Sequence, residues 1–264
     1  MPTVYIAPTA QGSANGTSEA NAYAFSSIDT AESDAGDGGT ILFLDGNYNV
    51  GSSYTFEPGS TNSITYKSLN KHKAVLTDQT SSDSAVIRLG STAGTSGDVI
   101  FEDFKVTSAA QFLSQTQTTI KGIFYISSAG FDPYYGFFYR NGGDLTVETS
   151  AFIYTLTGGG SFAGTSSGIT INNSSFYLDC SALSANAVNS NSFPATNTIF
   201  SSNNATAVAT NLWDPSNKTN CCFHNSNHTS GGTNNIFADP LFVDPASDLR
   251  LRPSSPCIGA GSAS

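Results

Sequence analysis

Charged side chains that could carry acid–base chemistry are scarce, and the best group of them lies near the middle of the chain. Asp, Glu, Lys and Arg make up 11% of the 264 residues, against about 25% in an average globular protein. Glu102, Asp103 and Lys105 lie within four positions, and Lys121 and Arg140 follow. Such side chains can act as general acids or bases, so these five are the candidate catalytic residues. The alternative interpretation is a solvated face with scattered charges.

Two carboxylates could instead be paired for glycoside hydrolysis. That reaction needs the two groups roughly 5–10 Å apart. In this chain Asp103 and Glu148 are the conceivable pair, but no register in the sequence supports it.

The sequence does not predict a metal site. Of the three histidines, His224 and His228 fall in a loop-like stretch without a third ligand nearby. Asp239 and Asp244 each precede a proline, and we expect them to fix turns rather than to bind metal. The four cysteines include no CxxC pair, and we expect buried free thiols.

Aromatic side chains are concentrated in the segment Phe131–Arg140, which holds six in ten positions. Tyr rings with a free edge make good sugar platforms or subunit contacts. The candidate carbohydrate-binding residues are Tyr134, Tyr135, Tyr139 and the single tryptophan, Trp213. The alternative is that the phenylalanines of this segment belong to the core with the tyrosines half-buried beside them.

A repeat of strand-like runs ending in phenylalanine indicates which elements would position these residues. Phe152, Phe176, Phe200 and Phe223 follow one another at intervals of 24, 24 and 23 residues, and Phe104 precedes Phe152 by 48. Apolar residues alternate with polar ones before each phenylalanine, which is typical of strands with one buried face. A fixed period of this length predicts stacked coils, with the phenylalanines forming an interior ladder. An antiparallel β-sandwich is the alternative.

The same rhythm extends over the rest of the chain. Four further strands are expected at Thr40–Leu44, Ser63–Lys67, Ala74–Leu76 and Ala85–Leu89. A capping helix is expected from about Ala20 to Ala31, with Ser18 as its N-cap and Phe25 and Ile28 on one face. The sequence therefore predicts an all-β, right-handed parallel β-helix of about ten or eleven coils with a short N-terminal helix. We expect one domain, with a cap and first coil at 1–48, coils at 49–235 and a C-terminal coil and cap at 236–264.

Two segments resemble the pectate-lyase-like β-helix superfamily. Val4–Ala7 followed by Gly38–Tyr48 resembles its N-terminal strand, helix and "GDTIxLxxGTY"-like first coil. Ala238–Pro245 followed by Asp248–Gly261 resembles the "DPxFvdp…dfrLxpgSPaidaG" ending of many bacterial and phage members. The superfamily includes polysaccharide lyases, hydrolases, tailspikes and adhesins, so the resemblance implies the architecture more than the chemistry.

The resemblance also implies what a lyase site would need. The lyases abstract the proton next to a uronate carboxyl, and Lys105, Lys121 or Arg140 would then be the base. Ca²⁺ would be possible only in that case, and otherwise no cofactor is expected. The family's "WIDH"-like strand and "RxPxxR"-like turn are both missing. Enzymatic activity is therefore an open question, and the sequence favours its absence.

Charge and hydropathy limit the classes of partner that the protein is expected to bind. The formal net charge of -10 disfavours nucleic acid, because binding phosphates needs a basic stripe. It would also repel an anionic polysaccharide unless a cation bridges the two or the few basic residues are clustered. Neither a signal peptide nor a run of 18 apolar residues is visible, so membrane insertion is not expected.

These features lead to three functional hypotheses. The first is a glycan-binding surface protein of a virion, such as a phage tailspike or fibre module, which the resemblance suggests would form a homotrimer. The second is a lyase or hydrolase acting on an acidic polysaccharide. The third is a purely structural or adhesive solenoid located on an extracellular surface.

Overall fold

The structure is a computed structural model of the whole chain. It describes residues 1–262 except positions 52, 141 and 227 and the segments 59–61, 78–85, 91–96, 108–110, 127–137, 156–159, 164–167, 180–187, 191–192 and 204–213. The chain divides into two compact units, of which the first comprises Met1–Phe124 and Arg140–Leu145 and the second Tyr125–Tyr139 and Thr146–Ser264.

Alternation of buried and exposed positions explains why short segments become strands. In Gly39–Phe43 the side chains of Ile41 and Phe43 are fully buried, while those of Thr40 and Leu42 are half-buried. Ile64–Ser68 follows the same pattern with Ile64 and Tyr66 inside. β-Branched and aromatic residues suit such a half-buried pleated surface, and a period of two turns every second one inward.

The first unit is built from coils that each contribute one strand to each of three parallel sheets. Its first sheet contains, in spatial order, Tyr23–Ala24, Thr3–Ala7, Gly39–Phe43, Ile64–Ser68, Val99–Glu102 and Thr118–Lys121. The second sheet contains Gly46–Asn49, Ala74–Thr77 and Lys105–Val106. The third contains Ser53–Phe56, Val86–Leu89 and Gln111–Ser114. The four strands expected from the sequence in this region are confirmed.

The second unit repeats this arrangement. Its strands in chain order, including three that cross the division of the chain, are Phe124–Ile126, Phe138–Arg140, Leu145–Glu148, Ala151–Thr155, Gly160–Ala163, Ile169–Asn172, Ser175–Asp179, Val188–Ser190, Ala195–Thr196, Ile199–Ser202, Lys218–Thr219, Cys222–His224, Ile236–Phe237, Phe242–Asp244 and Asp248–Leu251. All described pairs among them are parallel except the last two strands, which form an antiparallel hairpin.

The N-terminal helix is present, but its predicted bounds are wrong. The α-helix runs over Ile28–Ala35, preceded by 3-10 turns at Glu19–Asn21 and Phe25–Ser27. Between those turns, Tyr23–Ala24 is extended and pairs with the strand Thr3–Ala7, and this pairing prevents one continuous helix. Phe25 and Ile28 are buried as expected, whereas Ser18 makes no side-chain cap.

The phenylalanine ladder is confirmed in the second unit. The rings of Phe152, Phe176, Phe200 and Phe223 stack on one another with centroids 4.9, 5.6 and 5.5 Å apart, and Phe237 continues the ladder at 5.4 Å. All four predicted members are buried. Such contacts add about 0.5–1.5 kcal/mol per pair to the burial of the rings themselves.

Phe104 does not belong to such a ladder, so the extension of the repeat to that residue is wrong. It lies in the turn before the strand Lys105–Val106, and its ring stacks on Phe101 of the same coil at 4.3 Å. In the paired strands the inward position is held by Val106, opposite Leu76.

Buried hydroxyl groups line the turn between the first and second sheets of the second unit. Ser150, Ser174 and Thr198 each donate to the carbonyl oxygen two residues earlier. Ser150 and Ser174 also donate their backbone N–H groups to the hydroxyl of the next coil. The preceding residues Thr149, Asn173 and Asn197 have positive φ, a conformation that asparagine tolerates better than most side chains. These bonds satisfy backbone groups that would otherwise be buried without partners.

The C-terminal aspartates fix turns, as expected. Asp239 accepts from the N–H of Leu241 at 2.8 Å, and Asp244 accepts from Ala246 at 3.1 Å. The second turn joins the strands Phe242–Asp244 and Asp248–Leu251. Both carboxylates therefore have local backbone partners.

Among the described residues, Cys221, Cys222 and Cys257 are free thiols, and the first two are buried. The expectation of buried free thiols is confirmed for Cys221 and Cys222, whereas Cys257 is only half-buried. Cys180 lies outside the described residues. No helix in the described ranges is long and apolar enough to cross a membrane.

The aromatic ladder leads to a prediction about stability. Phe176→Ala leaves a cavity between two stacked rings, so we expect a loss of about 3–5 kcal/mol in the free energy of unfolding. Denaturant titration of the full chain measures this loss. Val243→Ala, at a position 41% exposed in the same unit, is the control with little expected effect. A loss below about 1 kcal/mol for Phe176→Ala would contradict the ladder.

A second prediction concerns Glu32, which the helix buries against the Tyr66 hydroxyl. Burial raises the pKa of Glu32 from 4.5 to about 7, although the 2.6 Å hydrogen bond from Tyr66 acts in the opposite direction. Since the folded pKa is above the unfolded one, this carboxyl contributes stability below pH 4.5 that is lost as the pH rises through about 7.

As the pH rises from 4.5 to about 7, we expect the free energy of unfolding to fall less for Glu32→Gln than for the wild type. Denaturant titration at several pH values measures this difference. Glu19→Gln, at an exposed position, should leave the pH profile unchanged. An identical profile for the wild type and Glu32→Gln would show that the buried carboxyl does not titrate in this range.

Candidate functional site

Strand register brings three charged residues that are distant in sequence into one row on the first sheet. Lys67 pairs with Glu102 in the neighbouring strand, and Glu102 pairs with Lys121 in the next. The Lys67 ammonium lies 3.2 Å and the Lys121 ammonium 3.9 Å from the same oxygen, Oε1 of Glu102. Because alternate residues of a strand face the same side, these three side chains project from the outer face.

The turn that follows these strands adds a second carboxylate. Asp103 lies 3.6 Å from the Lys67 ammonium and 3.7 Å from that of Lys71. Asp103 has φ of 64°, so the chain bends sharply immediately after Glu102. In the next coil Gly122 occupies the turn with the same φ, and a Cβ atom there would lie within contact distance of the Asp103 carboxylate. The glycine thus leaves room for that carboxylate.

An imidazole and an aromatic ring complete the group on the second-sheet side of the turn. His72 Nε2 lies 2.6 Å from the carbonyl oxygen of Gly122, and since a carbonyl can only accept, Nε2 carries a proton. The His72 ring lies 5.7 Å from the half-buried ring of Phe124. The Lys105 ammonium lies 5.9 Å from the same Phe124 ring, within the range of a cation–π interaction.

We call the group Lys67, Lys71, Lys105, Lys121, Glu102, Asp103, His72 and Phe124 the lysine cluster. Three of its ammonium groups pair with the two carboxylates and the fourth, that of Lys105, lies beside Phe124, a local net charge of +2 in a chain of net charge -10. The side chains of Lys71 and Lys121 are 60% and 47% exposed, whereas the two carboxylates are below 20%. Cations therefore dominate the surface that a ligand would meet.

The charges of the cluster shift two pKa values. Burial lowers the pKa of Lys67, but the hydrogen bond and charge of Glu102 and the charge of Asp103 outweigh it, so the net pKa is raised. Burial lowers the pKa of His72, and the charges of Lys71 and Lys105 act in the same direction. The ammonium of Lys67 is thus stabilised in its charged form, and the imidazole in its neutral form.

The structure brings together four of the five predicted catalytic residues: Glu102, Asp103, Lys105 and Lys121. Arg140 lies elsewhere. Its guanidinium pairs with Asp144 at 3.6 Å, and the Asp144 carbonyl accepts from Thr118, the first residue of the strand that ends at Lys121. Arg140 is therefore at the opposite end of that strand from the cluster.

The predicted carbohydrate-binding aromatics cannot be placed. Tyr134, Tyr135 and Trp213 lie outside the described residues. Tyr139 has its backbone in the strand Phe138–Arg140, and its side chain lies outside what the structure describes. They stay predictions.

Sequence reasoning missed half of the cluster: Lys67, Lys71, His72 and Phe124. Lys67 precedes Glu102 by 35 residues and Glu102 precedes Lys121 by 19, so neither interval matches the period of 24. The available signal was compositional, since five of the six lysines fall between positions 67 and 121.

The carboxylates of the cluster do not suit a calcium site of the kind that the resemblance implied for a lyase. Calcium takes six to eight oxygen ligands, whereas Glu102 and Asp103 face ammonium groups. Among the residues that the structure describes, no group of three or more His, Cys, Asp or Glu side chains is placed to hold a metal ion.

Among the comparisons with known proteins, the one with solved structures bears on the architecture. No protein-family model matches the sequence, and no curated protein matches it. A solved structure, that of pectate lyase Pel9A, is similar with a TM-score of 0.51 and 13% identity, over 99% of this chain and 92% of that one. Together with the parallel three-sheet coils, this likeness confirms the predicted fold class, a right-handed parallel β-helix with a short N-terminal helix.

The close approach at Gly122 generates a testable prediction. Gly122→Ala would strain a residue with φ of 64° and push the new methyl group against Asp103, so we expect a loss of stability above the 1–2 kcal/mol typical of a left-handed alanine. Gly51→Ala is the matched control, because its φ is 59° and no atom lies within 4 Å of the new Cβ. Denaturant titration compares the two, and equal losses would show that Asp103 does not approach Gly122.

Proposed function

We propose that this protein binds an acidic polysaccharide, with the lysine cluster as its binding surface. The observation that carries the proposal is the convergence of four lysines in a strongly acidic chain: Lys67 and Lys121 lie in one row of the first sheet, and Lys71 and Lys105 lie around the turn that follows it. The overall negative charge would repel an anionic glycan, but basic residues clustered at one place offset that repulsion locally. The likeness to a pectate lyase fold is compatible with a polysaccharide ligand.

The ion pairs of the cluster favour exchange with a ligand. The lysine partners Lys71 and Lys121 are exposed, and ion pairs at a surface are worth only about 0–1 kcal/mol each. Carboxylates of a glycan can therefore compete with Glu102 and Asp103 for these ammonium groups. The half-buried Phe124 ring, next to Lys105 and His72, offers an apolar surface against which a sugar ring can pack.

Binding is favoured over proton abstraction by the state of Lys67. A general base must be neutral near the working pH, whereas its two carboxylate neighbours raise the pKa of Lys67. The second candidate function is a lyase of acidic polysaccharides, in which Lys105 would be the base. Lys105 packs against the Phe124 ring and takes part in none of the described ion pairs of the cluster.

A finer form of this proposal is a role in a virion. A tailspike or fibre module would present the cluster to glycans of a cell surface, as a homotrimer on a virion or other extracellular surface. The low proportion of charged residues and the abundance of Ser, Thr and Asn support that role. A purely structural solenoid is the remaining alternative.

Binding to polygalacturonate and hyaluronan, measured by calorimetry at low salt, tests the proposal. The double variant Lys71→Gln/Lys121→Gln should bind about tenfold more weakly, since each lost charge pair contributes up to about 1 kcal/mol. Raising the salt concentration should weaken wild-type binding because salt screens exposed charges. A chelator of divalent cations should have no effect, because ammonium groups, not Ca²⁺, neutralise the ligand.

The matched control is Arg250→Gln/Arg252→Gln, which removes the same charge from the second unit and should bind as the wild type does. Equal affinity of the lysine variant and the wild type for both polymers would refute the proposal. Appearance of the ultraviolet absorbance of an unsaturated uronate would instead favour the lyase.

A further inference from the structure

We infer that the lysine cluster selects acidic glycans in which charged and neutral sugars alternate, over polymers that carry a carboxylate on every sugar. This inference rests on the proposed function. It follows from the order of charges along the row, in which Glu102 lies between Lys67 and Lys121.

The register of the row sets the order of the charges that a ligand meets. Neighbouring parallel strands lie about 4.8 Å apart, so Lys67 and Lys121, two strands apart, arise from backbone positions about 9.6 Å apart. A pyranose unit of an extended chain has a length comparable to one strand spacing. Both ammonium groups turn toward Oε1 of Glu102 and therefore lie no more than about 7 Å apart, one on either side of it. A glycan lying across the strands thus meets a lysine on each side of Glu102, with the sugar between them beside that carboxylate.

Glu102 makes the middle position unfavourable for a charged sugar. Its side chain is 19% exposed and is held between the two ammonium groups, so a carboxylate placed there meets a carboxylate at close range. Asp103 adds a second negative charge on the same side. A neutral sugar carries no such repulsion and can accept or donate hydrogen bonds to Glu102.

The test compares polygalacturonate, with a carboxylate on every sugar, with hyaluronan, in which uronate alternates with a neutral sugar. Both are titrated by calorimetry against the full chain at equal concentration of carboxylate. The wild type should bind hyaluronan more tightly. Glu102→Gln should shift the ratio of the two affinities toward polygalacturonate by about two- to fivefold, the size of one exposed charge interaction.

Asp98→Asn is the matched control, because Asp98 is an exposed carboxylate just before the same strand, Val99–Glu102. It should leave the ratio unchanged. The use of a ratio removes the general gain in affinity that any loss of negative charge gives to an anionic ligand.

The outcomes separate this inference from the function on which it rests. If Lys71→Gln/Lys121→Gln weakens neither polymer, the proposed function itself fails. If that variant weakens both polymers but the wild type does not prefer hyaluronan, or Glu102→Gln leaves the ratio unchanged, the selection by charge order is wrong and the binding surface stands.

Discussion

Parallel pairing of each strand with its counterpart in the next coil is the constraint on which the other features depend. Backbone hydrogen bonds fix which residue lies opposite which, so a side chain meets the side chains at the same position of the coils on either side. Inward positions then produce the ladder Phe152, Phe176, Phe200 and Phe223. Outward positions produce the row Lys67, Glu102 and Lys121. Core and candidate site thus have one origin.

The turn after the first sheet has a different role in the two units. In the second unit, Ser150, Ser174 and Thr198 bury their hydroxyl groups there and satisfy the backbone. In the first unit the equivalent bend is made by Asp103 and Gly122, and it is surrounded by lysines. A left-handed turn needs an unusual residue wherever it occurs. In the first unit that residue also places a carboxylate on the surface, and the lysines that neutralise it create a cationic patch.

The fold could be predicted well because its signals are local or periodic. Alternation located Gly39–Phe43 and Ile64–Ser68 to within one residue, and the interval of 24 located the aromatic ladder. The helix bounds failed because pairing of Tyr23–Ala24 with the first strand overrides the local helical preference. Propensity is a weak guide where a sheet competes for the same residues.

Only part of the candidate site could be predicted, since it depends on the length of the turns. Glu102, Asp103 and Lys105 were expected together because they are close in sequence, and Lys121 because it follows about one coil later. Lys67 lies beside Glu102 because the coil between them has 35 residues. The sequence before that coil does not predict its length. Arg140 was wrongly grouped with them, because proximity in sequence does not tell which end of a strand a residue occupies.

Protection of individual lysines from acylation by an acidic glycan is the most direct test of a shared binding surface. The chain has six lysines, and mass spectrometry can follow each of them, with the exposed α-amino group of Met1 and the buried Lys218 as internal references. The account predicts that hyaluronan slows the modification of Lys67, Lys71, Lys105 and Lys121 together while Met1 reacts as before. Uniform slowing of all amines, or protection of none of these four lysines, would contradict it.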